Sequence, residues 1–328
     1  MRSIKSDSKM FFVAGLLLTF FVFFPPSVSG QTYPDKPITI YCSMAAGAST
    51  DLTARVMAKG AEKVLGVPVI VENKLGGGGT VAAALVASKK PDGYTLCAIN
   101  TSALTISPHL LKVSYAPLND FSPIMQYTRY VHTVTVASEL PIKTIDEFIA
   151  YAKAHPGLSY GSSGKYNTNH LNMELFAECK GLTFKHVPTK GGAEINNLLL
   201  GKHVDFIAGT GQHVIYVKQG LFRQLLMLGT GKRNPTFPDV PTQTEIGCTA
   251  VPSSGVIVVG PKGIPKDISK KLDEIFKKIT EGDDFQKVLY NFNMPYEYLE
   301  GEKLEKDIPA EYKTYGAILK KLGVKKEG

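Results

Sequence analysis

The sequence predicts an α/β fold that is built twice along one chain. Short apolar runs alternate with longer helical periods, and this alternation starts at residue 38 and again after residue 121. Roughly 300 residues remain once an N-terminal leader is removed, which is more than one ordinary hydrophobic core holds. We therefore expect two lobes, each a mainly parallel sheet flanked by helices.

Residues 1–30 are predicted to be a cleavable signal peptide. Arg2, Lys5 and Lys9 form a basic start, and the apolar run at 11–24 is followed by two prolines and small residues suited to cleavage. A membrane anchor needs about twenty apolar residues, so export is favoured over a retained anchor. No later segment reaches spanning length without a charge or a helix breaker, and the mature chain is expected to be soluble in the periplasm.

The charge of the chain gives a weak indication of its partners. Removing residues 1–30 takes away three basic groups and one acidic group, so the formal net charge falls from +8 to +6. The basic residues are scattered, and no stripe of aromatic and basic residues suggests nucleic-acid binding. A modest positive field favours encounter with anionic ligands.

The order of elements defines the two lobes. The first series comprises strands 38–43, 67–73 and 94–100, with helices 49–64 and 80–89. The second comprises helices 144–155, 167–180 and 193–200, with strands 158–162, 184–188 and 204–208. A strand at 255–259 and helices 268–279, 285–289 and 304–322 follow.

The chain is expected to pass between the lobes twice, in the stretches 121–137 and 251–259. The C-terminal helices should then pack back on the first lobe. The predicted division is a signal peptide at 1–30, lobe 1 at 31–127 plus 254–328, and lobe 2 at 128–253.

The first candidate ligand turn lies between the first strand and the first helix. Its residues are small or carry hydroxyl groups, apart from one acid: Ala45, Ala46, Gly47, Ala48, Ser49, Thr50 and Asp51. Small side chains let an anion approach the backbone N–H groups at the positive end of the helix. The alternative is that Ser49 only caps the helix and that Asp51 only sits favourably in its first turn.

Two further turns offer hydrogen-bond donors. One follows the strand at 158–162 and supplies Ser162, Ser163, Asn167, Thr168 and His170; the other follows the strand at 94–100 and supplies Asn100, Thr101 and Ser102. In open parallel sheets, ligands bind beyond the carboxyl ends of the strands. Turns from two lobes facing each other would clamp one ligand.

Catalytic signatures are weak in this sequence. Gly77, Gly79 and Ala82 match the G-x-G-x-x-A pattern, but the acidic residue about twenty positions later is missing, so we discount a nucleotide site. No Walker loop, nucleophile-elbow serine or H-E-x-x-H motif occurs. His170 has three possible roles: a structural hydrogen bonder, a ligand contact or a catalytic group.

Four cysteines, Cys42, Cys97, Cys179 and Cys248, are too widely spaced for a zinc site. Cys42 and Cys97 lie in strand-like apolar runs, so we expect them to be buried. An oxidising compartment permits a disulfide, but the spacing does not choose a pairing.

Seven short motifs in order resemble the periplasmic substrate-binding proteins of tripartite tricarboxylate transporters, the Bug family. The matching residues are 33–38; Gly47, Ser49, Thr50, Asp51, Ala54 and Arg55; Glu72 and Asn73 with the glycines to Gly79; 91–96; 161–164 with His170; 186–188 with 190–192; and 238–242. The resemblance covers essentially the whole mature chain, 33–322.

The resemblance implies a Venus-flytrap fold that holds a small carboxylate in the cleft between the lobes. It implies that the first turn and the turn at 162–170 bind the carboxylate ends through amides and hydroxyl groups. It also implies delivery to one large and one small integral membrane subunit. We therefore expect a monomeric binding protein, without cofactor, metal or enzymatic activity.

The sequence departs from the family in two places. Met44, Ala45, Ala46 and Ala48 replace the usual prolines and paired glycines of the first turn. The last segment expected to line the cleft, residues 209–212, supplies Thr210 and Gln212 but no acidic side chain to pair with an ammonium group. We therefore expect a carboxylate ligand that has no amino group.

Two other functions are consistent with the sequence. An exported sensor of the same fold would present its ligand-bound shape to a signalling receptor instead of a transporter. An exported enzyme acting on a carboxylate would need a nucleophile and a base within hydrogen-bond reach.

Overall fold

The computed structural model describes residues 33–189, 191–230, 233–234 and 236–326. The predicted signal peptide lies outside the described residues. Residues 33–328 form one compact unit, so the two lobes belong to a single body.

Eleven strands and eleven α-helices are present in the described residues. The strands are β1 (Ile38–Cys42), β2 (Val69–Asn73), β3 (Thr95–Asn100), β4 (Phe121–Arg129), β5 (His132–Ala137), β6 (Leu158–Ser162), β7 (Phe184–Pro188), β8 (Phe206–Gly209), β9 (Phe222–Leu228), β10 (Gly255–Pro261) and β11 (Tyr296–Glu300). The helices are α1 (Ser49–Leu65), α2 (Thr80–Ala87), α3 (Ser102–Thr105), α4 (Ser107–Leu110), α5 (Ile145–Ala154), α6 (Thr168–Lys180), α7 (Gly192–Leu200), α8 (Val214–Lys218), α9 (Lys266–Thr280), α10 (Asp283–Asn291) and α11 (Gly301–Lys321).

The strands form two sheets, which we use to define the lobes. Lobe 1 has the six-stranded order β11-β4-β10-β3-β1-β2, and lobe 2 has the five-stranded order β7-β6-β8-β5-β9. The predicted two-lobed α/β fold is confirmed, because both sheets are flanked by helices. The division of the chain at residues 127/128 and 253/254 stays a prediction.

Each sheet combines a parallel centre with antiparallel neighbours. β1 pairs in parallel with β2 and β3, and β6 pairs in parallel with β7 and β8, as βαβ units require. β10 is antiparallel to β3 and β4, and β5 is antiparallel to β8 and β9. The sheets are therefore mixed. The chain leaves lobe 1 at the end of β4 and returns in the neighbouring β10, and it enters lobe 2 in β5 and leaves after the neighbouring β9.

Each lobe has its own hydrophobic core. In lobe 1, Ile38 and Ile40 pack with Phe276 and Phe285 of the C-terminal helices. In lobe 2, an aromatic cluster forms around Phe206. Buried and partly exposed residues alternate along β1, which lies next to the edge strand β2. Every residue of β10 is buried, because this strand lies near the centre of the sheet.

The two crossings between the lobes lie side by side. The first is only Tyr130 and Val131, between β4 and β5, within the predicted stretch 121–137. The second leads into β10 at Gly255, and the Tyr130 amide donates a hydrogen bond to the Ser254 carbonyl at 3.0 Å. β9, which the sequence reading missed, adds a strand to the sheet of lobe 2, and the chain after it stays on that lobe: Cys248 packs in the lobe 2 core and the Gln243 amide donates to the Met227 carbonyl. The stretch 251–259 for the second crossing stays a prediction.

The C-terminal helices contact both lobes. α9 and α10 pack on α1 of lobe 1, as expected. α11 packs on β4 and α3 of lobe 1, and its last turns also reach α6 of lobe 2. There Leu319 shares an apolar cluster with Leu171, and the Lys321 ammonium lies 2.5 Å from the Glu178 carboxylate. α11 therefore links the lobes in addition to the two crossings.

The cysteines divide into one bonded pair and two buried thiols. Cys179, at the end of α6, forms a disulfide with Cys248, which packs in the core of lobe 2. Cys42 and Cys97 are free and buried in lobe 1, as predicted. Among the described residues, no helix has the length and apolar character needed to cross a bilayer.

We predict that removing the disulfide lowers the free energy of unfolding. The bond closes a loop with a sequence separation of 69, and constraining such a loop in the unfolded chain contributes about 2–4 kcal/mol. Urea unfolding of Cys179→Ser should show this loss. The reduced wild type should match the variant, and the variant itself should not respond to reductant; a wild type unaffected by reduction would contradict the prediction.

Candidate functional site

The turn after β1 exposes its backbone at Ala45, Ala46 and Gly47. Gly47 has a φ of +82°, a left-handed conformation that favours glycine. Its amide donates to the Asp51 carboxylate at 2.9 Å. The turn is therefore folded back on the first residues of α1.

Asp51 holds this turn in place. Its carboxylate accepts from Arg55 Nε at 3.0 Å and from Asn73 Nδ2 at 2.7 Å, and the residue is 1% exposed. Burial alone would raise the pKa of Asp51, but the donors of Arg55, Asn73 and Gly47 outweigh it and hold the pKa below its usual value. These lobe 1 donors occupy the carboxylate, so Asp51 fixes the shape of the turn, and its contact with a ligand stays a prediction.

The N-terminus of α1 has no side-chain cap. Ala48 is the N-cap residue, so the alternative that Ser49 caps the helix is wrong. The first backbone bond into the helix is from Leu52 to Ala48. The amides of Ser49, Thr50 and Asp51 consequently have no acceptor among the described residues, and the helix dipole adds positive charge there.

Tyr130 connects this helix end to the first crossing. Its hydroxyl lies 3.1 Å from Thr50 Oγ1 and donates to Asn100 Oδ1 at 3.4 Å. We call the neighbouring residues Tyr130 and Ser254 of the two crossings, with the residues beside them, the hinge. Thr50 and Asn100 thus meet at Tyr130 of the hinge. The sequence reading placed Tyr130 in a crossing but did not recognise it as part of the site.

Ser254 makes the matching connection on the second crossing. Its hydroxyl lies 3.2 Å from Thr101 Oγ1 and accepts from the Ser102 amide at 3.1 Å. Its own amide donates to Thr168 Oγ1, at the start of α6, at 3.5 Å. Because Tyr130 and Ser254 are themselves hydrogen-bonded, the N-termini of α1 and α6 contact the same part of the hinge.

The turn before α6 is organised by Asn167. Its Oδ1 caps the helix by accepting from the His170 amide at 3.4 Å, and its Nδ2 donates to Ser163 Oγ at 2.8 Å. The amides of Thr168 and Asn169 have no acceptor among the described residues. Lobe 2 therefore presents a second helix end with unpaired donors.

His170 is a structural residue of lobe 2. Its Nδ1 accepts from the Tyr166 amide at 2.8 Å, its Nε2 lies 3.4 Å from Glu174 Oε1, and its ring stacks on His186 at 4.0 Å. The residue is 5% exposed. Of the three roles considered, the structure thus favours the structural hydrogen bonder.

Ser162 and His186 meet the distance expected for a nucleophile and its base, at 2.6 Å. Ser162 is fully buried, however, and its hydroxyl also donates to the Gly164 carbonyl at 2.9 Å. Burial, with a smaller effect from His170, lowers the pKa of His186 to about 4, so its imidazole is a weak base. This pair shapes the turn and gives no support to hydrolysis.

Thr210 and Gln212 lie together over the start of α7. A Cβ added at Gly192 would come within 2.5 Å of Thr210 Oγ1 and 2.6 Å of Gln212 Oε1. Between them, Gly211 passes so close to lobe 1 that a Cβ there would lie 2.5 Å from the Phe292 carbonyl oxygen. This segment of lobe 2 thus approaches the end of α10 in lobe 1.

The predicted residues form three groups, of which Thr210 and Gln212, at the start of α7, are one. Those near the hinge, where the two helix ends converge, are Ala46, Gly47, Ser49, Thr50, Thr101, Ser102, Ser163, Asn167 and Thr168. Those used for the internal structure of their own lobe are Asp51, Ser162 and His170. No cluster of three or more potential metal-ligating side chains occurs in the described part of the chain.

A cavity of about 850 Å³ adjoins the crossings but contains none of the predicted site residues. It is lined by Tyr130 and Ser253 of the crossings and by β11 and α11 of lobe 1. The converging helix ends and this cavity are therefore separate features that share the hinge.

The chain belongs to the family described as the tripartite tricarboxylate transporter family receptor, which it matches over residues 53–324. It is 39% identical over 303 residues, 92% of each chain, to the "UPF0065 protein in gbd 5'region" of Cupriavidus necator.

Solved structures show the same architecture. A TctC solute-binding protein from Polaromonas superposes with a TM-score of 0.77 at 29% identity, covering 88% of this chain and 100% of that one. The R. palustris protein Rpa4515, solved with adipate, has a TM-score of 0.75 at 25% identity, covering 90% of this chain and 100% of that one. The chain thus has the fold of periplasmic solute-binding proteins.

We predict that two buried histidines make the fold sensitive to acid. Burial lowers the pKa of both His132 and His213 to about 3. In the unfolded chain these imidazoles bind protons with an ordinary pKa of ~6.5. Their contribution to the free energy of unfolding is therefore complete above that pH. Below it, the free energy of unfolding falls by roughly 1 kcal/mol per pH unit for each group. Urea unfolding from pH 7 to pH 4 measures this slope.

The matched variants are His213→Gln, which removes one buried imidazole, and His203→Gln, which removes an exposed one. The first should reduce the acid slope by roughly 1 kcal/mol per pH unit, since it removes one of the histidines whose pKa is lowered in the folded state. The second should leave the slope unchanged; equal slopes in all three proteins would contradict the assignment.

Proposed function

We propose that this chain is an extracytoplasmic solute-binding protein that captures a small carboxylate between its lobes. It delivers the ligand to a tripartite tricarboxylate-type transporter with one large and one small integral membrane subunit. The protein is exported to the periplasm through its signal peptide and acts as a monomer without enzymatic activity. Family membership and the fold support this proposal.

The observation that carries the proposal is the convergence of two helix N-termini on one hinge. α1 and α6 each leave backbone amides without an acceptor among the described residues, and both helix ends are connected through Tyr130 and Ser254. An anion between them would satisfy the amides and interact favourably with both helix dipoles. Because the donors come from different lobes, the ligand would stabilise the closed arrangement.

The proposed ligand bears carboxylates and no amino group. The Asp51 carboxylate is already occupied by Arg55 and Asn73, and the segment that contributes Thr210 and Gln212 offers no acidic side chain. An ammonium group bound here would lose its hydration without gaining a carboxylate partner. The adipate bound by the R. palustris relative is a ligand of the proposed kind.

We predict that adipate or a shorter dicarboxylate raises the melting temperature in a concentration-dependent way. Ligand at ~100 times its Kd stabilises the folded state by about 2.7 kcal/mol. The matched comparisons are adipamide, which lacks the charges, and glutamate, which adds an ammonium group. A stronger shift with glutamate than with dicarboxylates would contradict the proposed selectivity.

We also predict that a negative charge on either side of the hinge weakens dicarboxylate binding. Ala46→Asp places it in the lobe 1 turn, and Asn167→Asp places it at the α6 N-cap, where aspartate still caps the helix. A charge about 6 Å from the ligand costs about 1–3 kcal/mol at an effective dielectric constant near 20, or roughly tenfold or more in Kd.

The control is Asn197→Asp, which makes the same charge change at an exposed position of α7. Calorimetric titration should show weaker binding in both test variants and wild-type binding in the control. If only one test variant is affected, the ligand does not contact both lobes and the proposed clamp is wrong.

A further inference from the structure

Apart from the crossings and α11, the lobes also meet at the segment that follows β8. Gly211 of this segment is buried against the end of α10. A Cβ added at Gly211 would lie 2.5 Å from the Phe292 carbonyl oxygen and 3.7 Å from the Asn293 carbonyl oxygen. The two lobes therefore meet here backbone against backbone. We call Gly211, together with Phe292 and Asn293, the Gly211 contact.

The backbone is left-handed on both sides of the Gly211 contact. Gly211 has a φ of +91°, and Asn293 has a φ of +50°. This conformation is unfavourable for residues other than glycine, although asparagine tolerates it better than most. Residues held in such conformations need the surrounding structure to fix them, and they are frequent at ligand clamps and switch regions.

Neither side of the Gly211 contact can give way locally. On lobe 2, His213 lies two positions after Gly211, is fully buried and has its Nε2 2.9 Å from Thr133 Oγ1. On lobe 1, the Met294 amide donates to the Leu289 carbonyl at 2.9 Å, and the Met294 side chain packs in the core. Because both neighbours are anchored in their own lobe, extra volume at position 211 must move the lobes apart.

Two polar contacts between the lobes flank this point. Lys218 Nζ of α8 donates to the Tyr290 hydroxyl of α10 at 3.1 Å and lies 4.6 Å from the centre of its ring. Asn234 Nδ2, beyond β9, donates to Asn293 Oδ1 at 3.3 Å. Lys218 and Tyr290 are exposed, so their hydrogen bond adds little stability. The distance between the lobes at this edge is therefore set by the Gly211 contact.

The contact of α11 with α6 is different in kind. Leu319 and Lys321 reach α6 with flexible side chains, which can change rotamer when the lobes shift. Two backbones in contact have no such freedom. Gly211 also lies between Thr210 and Gln212, in the segment expected to line the ligand cleft, so its position bears on the cleft itself.

We propose that the Gly211 contact is a closure stop. The lobes come together until Gly211 reaches the backbone of residues 292 and 293, and only glycine at position 211 lets them come close enough for the closed arrangement. The proposal rests on the proposed function, because closure is what would hold the carboxylate. It adds that residue 211 determines how far the lobes close.

The first experiment measures closure without a ligand. In the mature chain, Lys218→Cys and Tyr290→Cys place one exposed thiol on each lobe, at positions whose side chains are hydrogen-bonded across the lobes. A short bis-maleimide joins the two thiols only while the lobes are close, so the rate of cross-linking measures the closed fraction. Cys42 and Cys97 are fully buried, and single-cysteine versions report any reaction elsewhere.

We expect Gly211→Ala to slow this cross-linking at least about tenfold, because a methyl group forced into a well-packed contact shifts the balance toward the open arrangement. The matched control is Gly220→Ala at the other end of α8, where φ is +76° and an added Cβ meets nothing within 4 Å. It introduces the same left-handed strain without the clash and should cross-link like the unsubstituted double-cysteine protein. Equal rates in the two alanine variants, or a double-cysteine protein that does not cross-link, would overturn the proposal.

The second measurement is calorimetric titration of adipate into chains that retain Lys218 and Tyr290. Gly211→Ala should weaken adipate binding about tenfold relative to Gly220→Ala, since apparent affinity scales with the fraction of protein able to close. Equal adipate affinity in these two variants would contradict the closure stop. If none of the proteins binds adipate, the carboxylate function fails, while the cross-linking rates still decide on the closure stop.

If Gly211→Ala does not fold, as judged by circular dichroism, Asn234→Ala takes its place. This variant loses the amide donor to Asn293 Oδ1. Its cross-linking rate should fall roughly fivefold, the effect of one hydrogen bond on an equilibrium between two states. An unchanged rate in Asn234→Ala would end the proposal.

Discussion

The arrangement of this protein depends on one backbone hydrogen bond, from the Tyr130 amide to the Ser254 carbonyl, which holds the two crossings side by side. Thr50 and Asn100 reach the first crossing through the Tyr130 hydroxyl, while Thr101 and Thr168 reach the second through Ser254. Elements that are distant in sequence thereby converge. A ligand bound at the two helix ends is consequently linked to the segments about which the lobes turn.

The two helix ends are built in different ways. α1 begins without a side-chain cap, and the preceding turn is held by Asp51, Arg55 and Asn73. α6 begins with an Asn167 cap whose amide also fixes Ser163. In both cases neighbouring side chains fix the backbone while leaving amides unpaired. Rigid, unsatisfied donors are suited to recognising an anion, because little ordering is needed when it binds.

Local patterns predicted most of the fold and less of the site. Strand 158–162 was predicted to the residue, because its apolar run is bounded by clear turn signals. β9 and β11 were missed, and β4 and β5 were read only as a crossing, since these strands follow no βαβ repeat and gain their pairing from distant strands. The donor-rich turns were found from composition. The roles of Asp51 and His170 could not be predicted, because their contacts come from other elements. Asn73 of β2 donates to the Asp51 carboxylate, and His186 of β7 stacks on the His170 ring.

The last turns of α11 have a consequence for how affinity evolves. Leu319 and Lys321 contact α6 of the opposite lobe, so separating the lobes exposes apolar surface to which none of the predicted ligand-binding residues belongs. The fraction of empty protein in the binding-competent arrangement is set partly by these contacts, and apparent affinity scales with that fraction. Substitutions on the face of α11 that packs against α6 can therefore retune the working concentration range of the receptor while its selectivity stays the same.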